Sequence, residues 1–183
     1  MDGRPLRLVI SGGPGAGKTT LLDALRREGW PCHAEVSRAI IEEQHASGGR
    51  LYPWEDMAGF AAECVTRMRR QVRASSAHPV SFFDRALPDV IAYLRHRSLQ
   101  PDAELFEAAR DYTPLAFIAP PWPQIYACDA ARPQRFEEAQ AIHAQIVRAY
   151  SDCGFVRCEL PRSSVAARVE FVHQQIERYV SRS

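Results

Sequence analysis

The chain has 183 residues, the length of a single domain, which can bury a sizeable core without a second unit. Its 23 Lys and Arg residues nearly balance its 22 Asp and Glu residues, so no overall field would hold nucleic acid or an anionic membrane. No apolar run is long enough to cross a bilayer, and the first residues lack the apolar region of a signal peptide. We therefore expect one domain over residues 1–183 in a cytoplasmic protein.

The cysteines and histidines do not form a metal-binding pattern. The five cysteines are odd in number and include no C-x-x-C pair: Cys32, Cys64, Cys128, Cys153 and Cys158. This pattern fits neither a disulfide framework nor a zinc ribbon, and the six histidines show no H-x-x-x-H spacing. We expect reduced thiols and no structural zinc.

The first predicted elements are a buried strand over residues 6–10, a glycine-rich loop and a helix over residues 20–27. The loop fits the phosphate-binding pattern G-x-x-x-x-G-K-[ST] at every fixed position, which are Gly12, Gly17, Lys18 and Thr19. In this pattern backbone N–H groups cradle the phosphates, the lysine neutralises their charge and the hydroxyl reaches Mg²⁺. The alternative is a glycine-rich turn that binds nothing.

Residues 12–20, here called the phosphate loop, are the predicted nucleotide site. We expect the phosphates to contact Gly12, Gly13, Gly15, Ala16, Gly17, Lys18, Thr19 and Thr20. Lys18 is the only lysine in the sequence, and all other long basic side chains are arginine. A compact ammonium suits a phosphate at this position better than a planar guanidinium, so the single lysine supports the interpretation.

Two further strands are predicted to end in acidic residues. A short strand over residues 30–34 precedes Glu35, and an apolar strand over residues 79–83 precedes Asp84 and Arg85. Between them, apolar residues recur at helical spacing from Trp54 to Val72, which predicts a long amphipathic helix. Ligands of open α/β sheets bind at the carboxyl ends of the strands, so Glu35 and Asp84 should lie beside the phosphate loop.

The second half of the chain continues the alternation of strands and helices. Strands are predicted over residues 114–119 and 155–160, and helices from Pro133 and over residues 165–179. A polar connection containing Arg132 lies within a predicted lid over about residues 120–136. Because strands alternate with helices, we expect a parallel sheet that is covered on both faces.

Other classes of phosphate-loop protein fit the sequence less well. A GTPase reads guanine with N-K-x-D, which this sequence cannot contain because its one lysine lies in the phosphate loop. Residues Asp56 to Gly59 match the D-x-x-G motif of GTPases, but they lie within the amphipathic helix. Ring-forming ATPases need a larger module with a separate helical lid. The small-kinase type remains.

Each candidate site residue has a functional and a structural interpretation. Asp84 would hold Mg²⁺ or act as base, or else cap a turn after its strand. Glu35 would orient the acceptor hydroxyl, or else be an ordinary acidic residue that stabilises the N-terminus of the following helix through the helix dipole. Arg38 and Arg85 would grip the substrate, or else form internal ion pairs. Arg132 would close over the phosphates, or else lie in a solvated helix entry.

Two more features are less specific. Trp122 lies between prolines and would form a rigid turn or a stacking platform for adenine. Arg67, Arg69, Arg70 and Arg73 flank the apolar stripe of the amphipathic helix and would form a solvated face or a nucleic-acid patch.

Five segments resemble the NadR-like phosphate-loop family, often catalogued as AAA-type ATPases, which includes the nicotinamide-riboside kinase domain. They are ISGGPGAGKTTLLDAL, AEVSRAIIEE, FFDRALPDVIAYL, FIAPPWPQIYACDAARPQRFEEA and ELPRSSVAARVEFV. The resemblance implies a three-layer P-loop NTPase fold with a five-stranded parallel sheet in the order 2-3-1-4-5, and ATP with Mg²⁺. It also implies that Glu35, Asp84, Arg85 and Arg132 occupy positions like those of deoxynucleoside and nucleotide kinases.

Three functions are compatible with these observations. The first is a Mg²⁺-dependent kinase that transfers the γ-phosphate of ATP to a hydroxyl of a nucleoside-like or other small metabolite. The second is a regulatory ATPase or nucleotide-dependent switch that acts through a protein partner. The third, polynucleotide 5′-kinase activity, depends on the arginine-flanked helix, although the balanced charge argues against nucleic acid. A homodimer is compatible with the sequence.

Overall fold

The computed structural model describes residues 5–126 and 136–182. In these residues five parallel strands form one sheet in the order β2-β3-β1-β4-β5, which confirms the predicted 2-3-1-4-5 order. The strands are β1 (Leu6–Gly12), β2 (Cys32–His33), β3 (Val80–Asp84), β4 (Leu115–Ala119) and β5 (Val156–Glu159).

Helices cover both faces of the sheet, so the fold has three layers. They are α1 (Lys18–Arg27), α2 (Val36–Ser47), α3 (Met57–Ala74), α4 (Leu87–His96), α5 (Ala103–Ala108), α6 (Phe136–Asp152) and α7 (Val165–Val180). The first helix, α1, and the last helix, α7, pack against each other and form the layer on one face of the sheet. The helices from α2 to α6 pack on the other face. None of the described helices is long and apolar enough to cross a membrane.

The central strand shows why both layers are apolar. Successive side chains of a strand point to opposite faces, and in β1 Leu8 and Ile10 join the core under α1 and α7 while Val9 joins the other core. All three are fully buried. A parallel strand covered on both sides therefore appears in the sequence as a continuous apolar run.

The amphipathic helix begins later than its apolar pattern, at Met57 instead of Trp54. Asp56 caps it, because Oδ1 of Asp56 accepts a hydrogen bond of 2.9 Å from the backbone N–H of Gly59. Helix capping by Asp56 therefore explains why this segment matches the D-x-x-G motif. It agrees with the interpretation that the match is not a GTPase switch.

Candidate functional site

The phosphate loop connects β1 to α1 at the carboxyl end of the sheet. Gly12 has no room for a side chain, since a Cβ atom there would lie 2.3 Å from the carbonyl oxygen of Ala119 on β4. Gly17 has φ 74°, a left-handed conformation that favours glycine, and immediately precedes α1. The glycines of the pattern therefore allow the loop backbone to approach β4 closely and to turn into α1. An anion-binding loop requires this geometry.

Lys18 is folded into the loop. Its Nζ donates hydrogen bonds to the carbonyl oxygens of Gly13, over 2.9 Å, and Gly12, over 3.1 Å. Burial of the ammonium, together with the nearby charge of Arg85, lowers the pKa of Lys18 from 10.5 to about 8. In the described part of the chain its hydrogen bonds go to carbonyl groups and to no carboxylate, so an anionic ligand would offset the lost hydration of the ammonium.

Glu35 immediately precedes α2, but its side chain does not cap that helix. Instead its Oε1 accepts hydrogen bonds from Oγ of Ser37, over 2.7 Å, and from Nε of Arg85, over 3.0 Å. Burial alone would raise the pKa of Glu35, but the charges of Arg85 and Lys18 and these hydrogen bonds lower it to about 2. The carboxylate is therefore ionised and faces the cations of the site.

Arg85 directly follows β3 and has φ 71°, an unusual conformation for a residue with a side chain. Its backbone N–H bonds to the carbonyl of Ile10, and its Nη1 donates to the carbonyl of Gly12 and to Oδ1 of Asp89, over 3.1 and 3.0 Å. With the Glu35 contact, these bonds show that Arg85 forms internal ion pairs. Its role in gripping a substrate stays a prediction.

Asp89 is a site residue that the sequence analysis missed. Its carboxylate accepts four hydrogen bonds, from Ser11 Oγ (2.6 Å), Arg85 Nη1 (3.0 Å), the backbone N–H of Ala86 (3.0 Å) and the Tyr150 hydroxyl (2.6 Å). It is only 2% exposed. Asp89 therefore ties β1, the end of β3 and α6 together and fixes the orientation of Arg85. The only sequence signal was an acidic residue one helical turn after Arg85.

Asp84, the last residue of β3, presents an oxygen without a hydrogen bond. Its Oδ1 is buried, and no group in the described part of the chain donates to it. Burial, and then the negative charge of Glu35, raise the pKa of Asp84 from 3.8 to about 6. A buried, unsatisfied carboxylate oxygen suits a cation. Within residues 5–126 and 136–182 no three His, Cys, Asp or Glu side chains gather to form a metal site by themselves.

Arg168 on α7 was also missed. It is 3% exposed, and its Nη1 and Nη2 donate to the carbonyl oxygens of Gly17 and Ala16, over 3.2 and 3.4 Å. Burial lowers its pKa, and no described residue accepts a hydrogen bond from its Nε. A third buried cation, after Lys18 and Arg85, therefore lies against the phosphate loop. Arg168 is 151 residues from Gly17 in the sequence, so no local sequence pattern predicts this contact.

The remaining predicted residues are distributed as follows. Thr19 and Thr20 are exposed to the cavity described below. Arg38 also lines that cavity and forms an exposed pair with Glu42 over 3.1 Å. Arg132 lies outside the described residues, so its lid role stays a prediction.

The arginines of α3 are partly neutralised by acidic neighbours. Arg67 pairs with both Glu43 and Glu63, and Arg69 pairs with Glu104. These pairs favour the solvated helix face over the nucleic-acid patch.

A cavity of about 600 Å³ is lined by Lys18, Glu35, Arg85, Asp89 and Arg168, while Asp84 lies behind its lining residues. At one end it is lined by the phosphate loop, Trp122, Ile125 and the start of α7. At the other end it extends past Glu35 and Arg85 between α2, α3 and α4. Trp122 therefore faces the cavity and is not only part of a turn.

The comparisons agree with this geometry. A family model described as an AAA domain (AAA_28) matches residues 7–168. A search among curated proteins finds no match. The fold is similar to that of deoxyadenosine kinase from M. mycoides with bound dATP (TM-score 0.53, 10% identity, covering 94% of this chain and 100% of that one).

Two further solved structures share the fold. Thymidylate kinase from Candida albicans has a TM-score of 0.60 and 12% identity, over 98% of this chain and 94% of that one. The NadR protein in complex with NR has a TM-score of 0.64 and 19% identity, over 93% of this chain but 50% of that one. At these identities the likeness shows the fold alone, a three-layer α/β P-loop fold. Because the family model matches most of the sequence, the chain belongs to the AAA_28 family of AAA domains.

Proposed function

We propose that this protein is a kinase that transfers the γ-phosphate of ATP to a hydroxyl group of a small acceptor. The observation that carries the proposal is the cavity, which extends from the phosphate loop past Glu35 and Arg85 to an apolar part between α2, α3 and α4. A regulatory ATPase needs a nucleotide site and a moving surface, but it needs no second internal chamber beside the γ-phosphate. A kinase needs this chamber for its acceptor.

In this mechanism the residues of the chain orient the reactants and neutralise charge. Lys18 and the backbone N–H groups of the phosphate loop hold the triphosphate. Glu35 accepts a hydrogen bond from the acceptor hydroxyl and aims its oxygen at the γ-phosphorus. As that oxygen bonds to phosphorus, the bond to the bridging oxygen of ADP breaks and the hydroxyl proton passes to Glu35. The triphosphate charge raises the pKa of Glu35 from its low value and so permits this transfer.

Magnesium fits the residues present at this site. The Thr19 hydroxyl and the orphaned carboxylate oxygen of Asp84 would hold it together with phosphate oxygens and water, since Mg²⁺ is usually bound by one or two carboxylates plus substrate phosphates. When bound, the ion neutralises charge that develops on the phosphate oxygens. Occupation of the site would also relieve the unfavourable burial of the Asp84 charge.

The test is an assay of ADP release from ATP with a panel of nucleosides and other hydroxylated metabolites. We expect slow hydrolysis of ATP alone and a large stimulation by at least one acceptor, with the phosphorylated acceptor identified by mass spectrometry. If no acceptor stimulates ADP release while a protein partner does, the chain is a regulatory ATPase and not a kinase.

A further inference from the structure

The acceptor end of the cavity is apolar. We call this part the inner pouch and define it by Ile41, Phe60, Ala61, Cys64, Met68 and Val90, all of which line the cavity and are at most 8% exposed. The pouch adjoins the reacting end, because the charges of Glu35 and Arg85 both act on the Cys64 thiol. Any acceptor that brings its hydroxyl to Glu35 must therefore place the rest of its structure against these side chains.

Polar side chains line the cavity mainly near the phosphate loop, and beyond it the described lining adds Arg38 on α2, which pairs with Glu42, and Tyr93 on α4, whose ring lies under the guanidinium of Arg85. Glu35, Ser37, Arg85 and Asp89 line the cavity near the phosphate loop, and they already bond to one another. No Asn, Gln or His is found among the described residues that line the cavity, and the sequence contains no asparagine. A nucleobase carries several donors and acceptors on its edge. Each one that remains unpaired in a buried pocket weakens binding.

The shape of the pouch also argues for an elongated apolar ligand. One face of α3 lines the cavity from Met57 to Met68, which is about 16 Å along the helix at 1.5 Å per residue. At the outer end Trp54 lines the cavity, is 47% exposed and stacks on Tyr52 with ring centroids 4.8 Å apart. Thioether and thiol side chains adapt to varied apolar shapes and pack well on aromatic rings. An exposed tryptophan at the mouth extends this apolar surface.

We infer that the acceptor is an alcohol with an elongated apolar body, of the prenyl or phenylalkyl type, whose hydroxyl is its principal polar group. This inference rests on the kinase function proposed above. The hydroxyl oxygen bonds to the γ-phosphorus, the bond to the bridging oxygen breaks with its electron pair leaving on ADP, and the proton passes to Glu35. The products are ADP and the monophosphate ester of the alcohol.

The experiment measures binding and transfer separately on the full chain. Binding is measured by calorimetry with the protein saturated by magnesium ADP, using geraniol and 3-phenylpropanol against adenosine and thymidine. Transfer is measured from ATP to the same four compounds. We expect the two apolar alcohols to bind at least about tenfold more tightly than either nucleoside, a difference of about 1.4 kcal/mol, and to be phosphorylated.

Substitutions at two cavity positions test where the ligand binds. Ala61→Phe fills the pouch and should weaken binding of geraniol at least about tenfold, while Ala62→Phe places the same ring on the exposed face of α3 and should not change it. ADP binding and the unfolding midpoint verify that each variant is folded. Met57→Gln, at a partly exposed position at the edge of the core, is the second variant, and it should weaken geraniol binding while disturbing the core less than Ala61→Phe does.

The outcomes separate the two proposals. Phosphorylation of adenosine or thymidine without binding of either apolar alcohol would overturn the inference and leave the kinase function intact. Pouch-dependent binding of the alcohols without transfer to any compound would support the ligand class and overturn the kinase function. Equal binding by wild type and Ala61→Phe would overturn the pouch as the binding site.

Discussion

Arg85 donates a hydrogen bond from Nε to Oε1 of Glu35 over 3.0 Å, and this contact joins the end of β3 to the start of α2. The side chain of Arg85 is 6% exposed and that of Glu35 is 23% exposed. The pair keeps Glu35 ionised and fixes its direction at the boundary between the phosphate loop and the inner pouch. An acid placed there is suited to orient a hydroxyl group toward a bound triphosphate.

Glu35→Gln should separate orientation of the acceptor from binding of ATP. The amide cannot take the hydroxyl proton, so we expect kcat to fall by about 10² to 10⁴, the usual range for a lost general base, with a much smaller change in KM for ATP. Steady-state kinetics with the acceptor identified by the panel measures both constants. Glu42→Gln, which breaks only the exposed pair with Arg38, is the matched control. A kcat within twofold of wild type in Glu35→Gln would remove Glu35 from the mechanism.

Asp89 should be a large contributor to stability, because its carboxylate accepts four buried hydrogen bonds. Asp89→Asn replaces an acceptor oxygen with a donor and removes one of the two charge partners of Arg85, leaving only Glu35 among the described residues. We expect the free energy of unfolding to fall by about 3–5 kcal/mol. Tyr150→Phe removes one of the four bonds and should cost about 1.5–3 kcal/mol.

Urea unfolding followed by circular dichroism measures both losses. Asp102→Asn changes an exposed carboxylate that caps nothing with its side chain, and it should leave stability within about 0.5 kcal/mol of wild type. A loss below 1 kcal/mol in Asp89→Asn would contradict its structural role.

Asp84 should destabilise the ligand-free protein near neutral pH. Its pKa is raised from 3.8 to about 6 in the folded chain, so between these values the folded state holds a proton that the unfolded state has released. The contribution of Asp84 to stability is therefore greater below pH 4 and falls as pH rises to about 6, by up to about 3 kcal/mol for a shift of this size at 1.36 kcal/mol per unit. The lowered pKa of Glu35 acts in the opposite direction below about pH 4.5, so the comparison with Asp84→Asn isolates the Asp84 contribution.

Asp84→Asn should abolish this dependence. The variant should be more stable than wild type at pH 7 and should approach wild type below pH 4, while phosphoryl transfer is lost. Thermal unfolding across this pH range in the absence of nucleotide and metal measures the difference. If Asp84→Asn were less stable at pH 7, the buried charge would be favourably paired, and the unsatisfied oxygen would not indicate a cation site.

Arg168 should help to hold the phosphate loop. It donates to the carbonyl groups of Ala16 and Gly17, and removing it frees the segment whose N–H groups must converge on the phosphates. We expect Arg168→Met to bind ATP about tenfold more weakly, equivalent to about 1.4 kcal/mol. Arg168→Lys should restore part of the affinity. Arg178→Met, an exposed position of the same helix, serves as the control. Unchanged affinity in Arg168→Met would show that the loop holds its shape alone.

Much of the fold was predictable because its signals are local. The phosphate loop, the alternation of strands and helices and the acids at strand ends all lie in short segments, and the charges of Glu35 and Asp84 are near enough to act on Lys18. Contacts between distant segments were not predictable. Arg168 is 151 residues from Gly17, and the charge cluster around Asp89 includes Tyr150, 61 residues away.

Helical periodicity also could not distinguish a core from a cavity wall. The apolar spacing predicted one buried face for α3, and Phe60, Cys64 and Met68 do belong to the core on that side of the sheet. The same three residues line the cavity. Both environments select apolar side chains at the same spacing, so only the three-dimensional arrangement reveals the pouch.

The most direct measurement is a calorimetric titration of the purified chain with magnesium ATP. We expect wild type to release heat on binding, Lys18→Met to bind at least about 100-fold more weakly because charge-assisted hydrogen bonds contribute about 1.5–3 kcal/mol each, and Arg70→Met, at an exposed arginine of α3, to match wild type. If wild type shows no heat, or if Lys18→Met binds as tightly as wild type, residues 12–20 are not a nucleotide site.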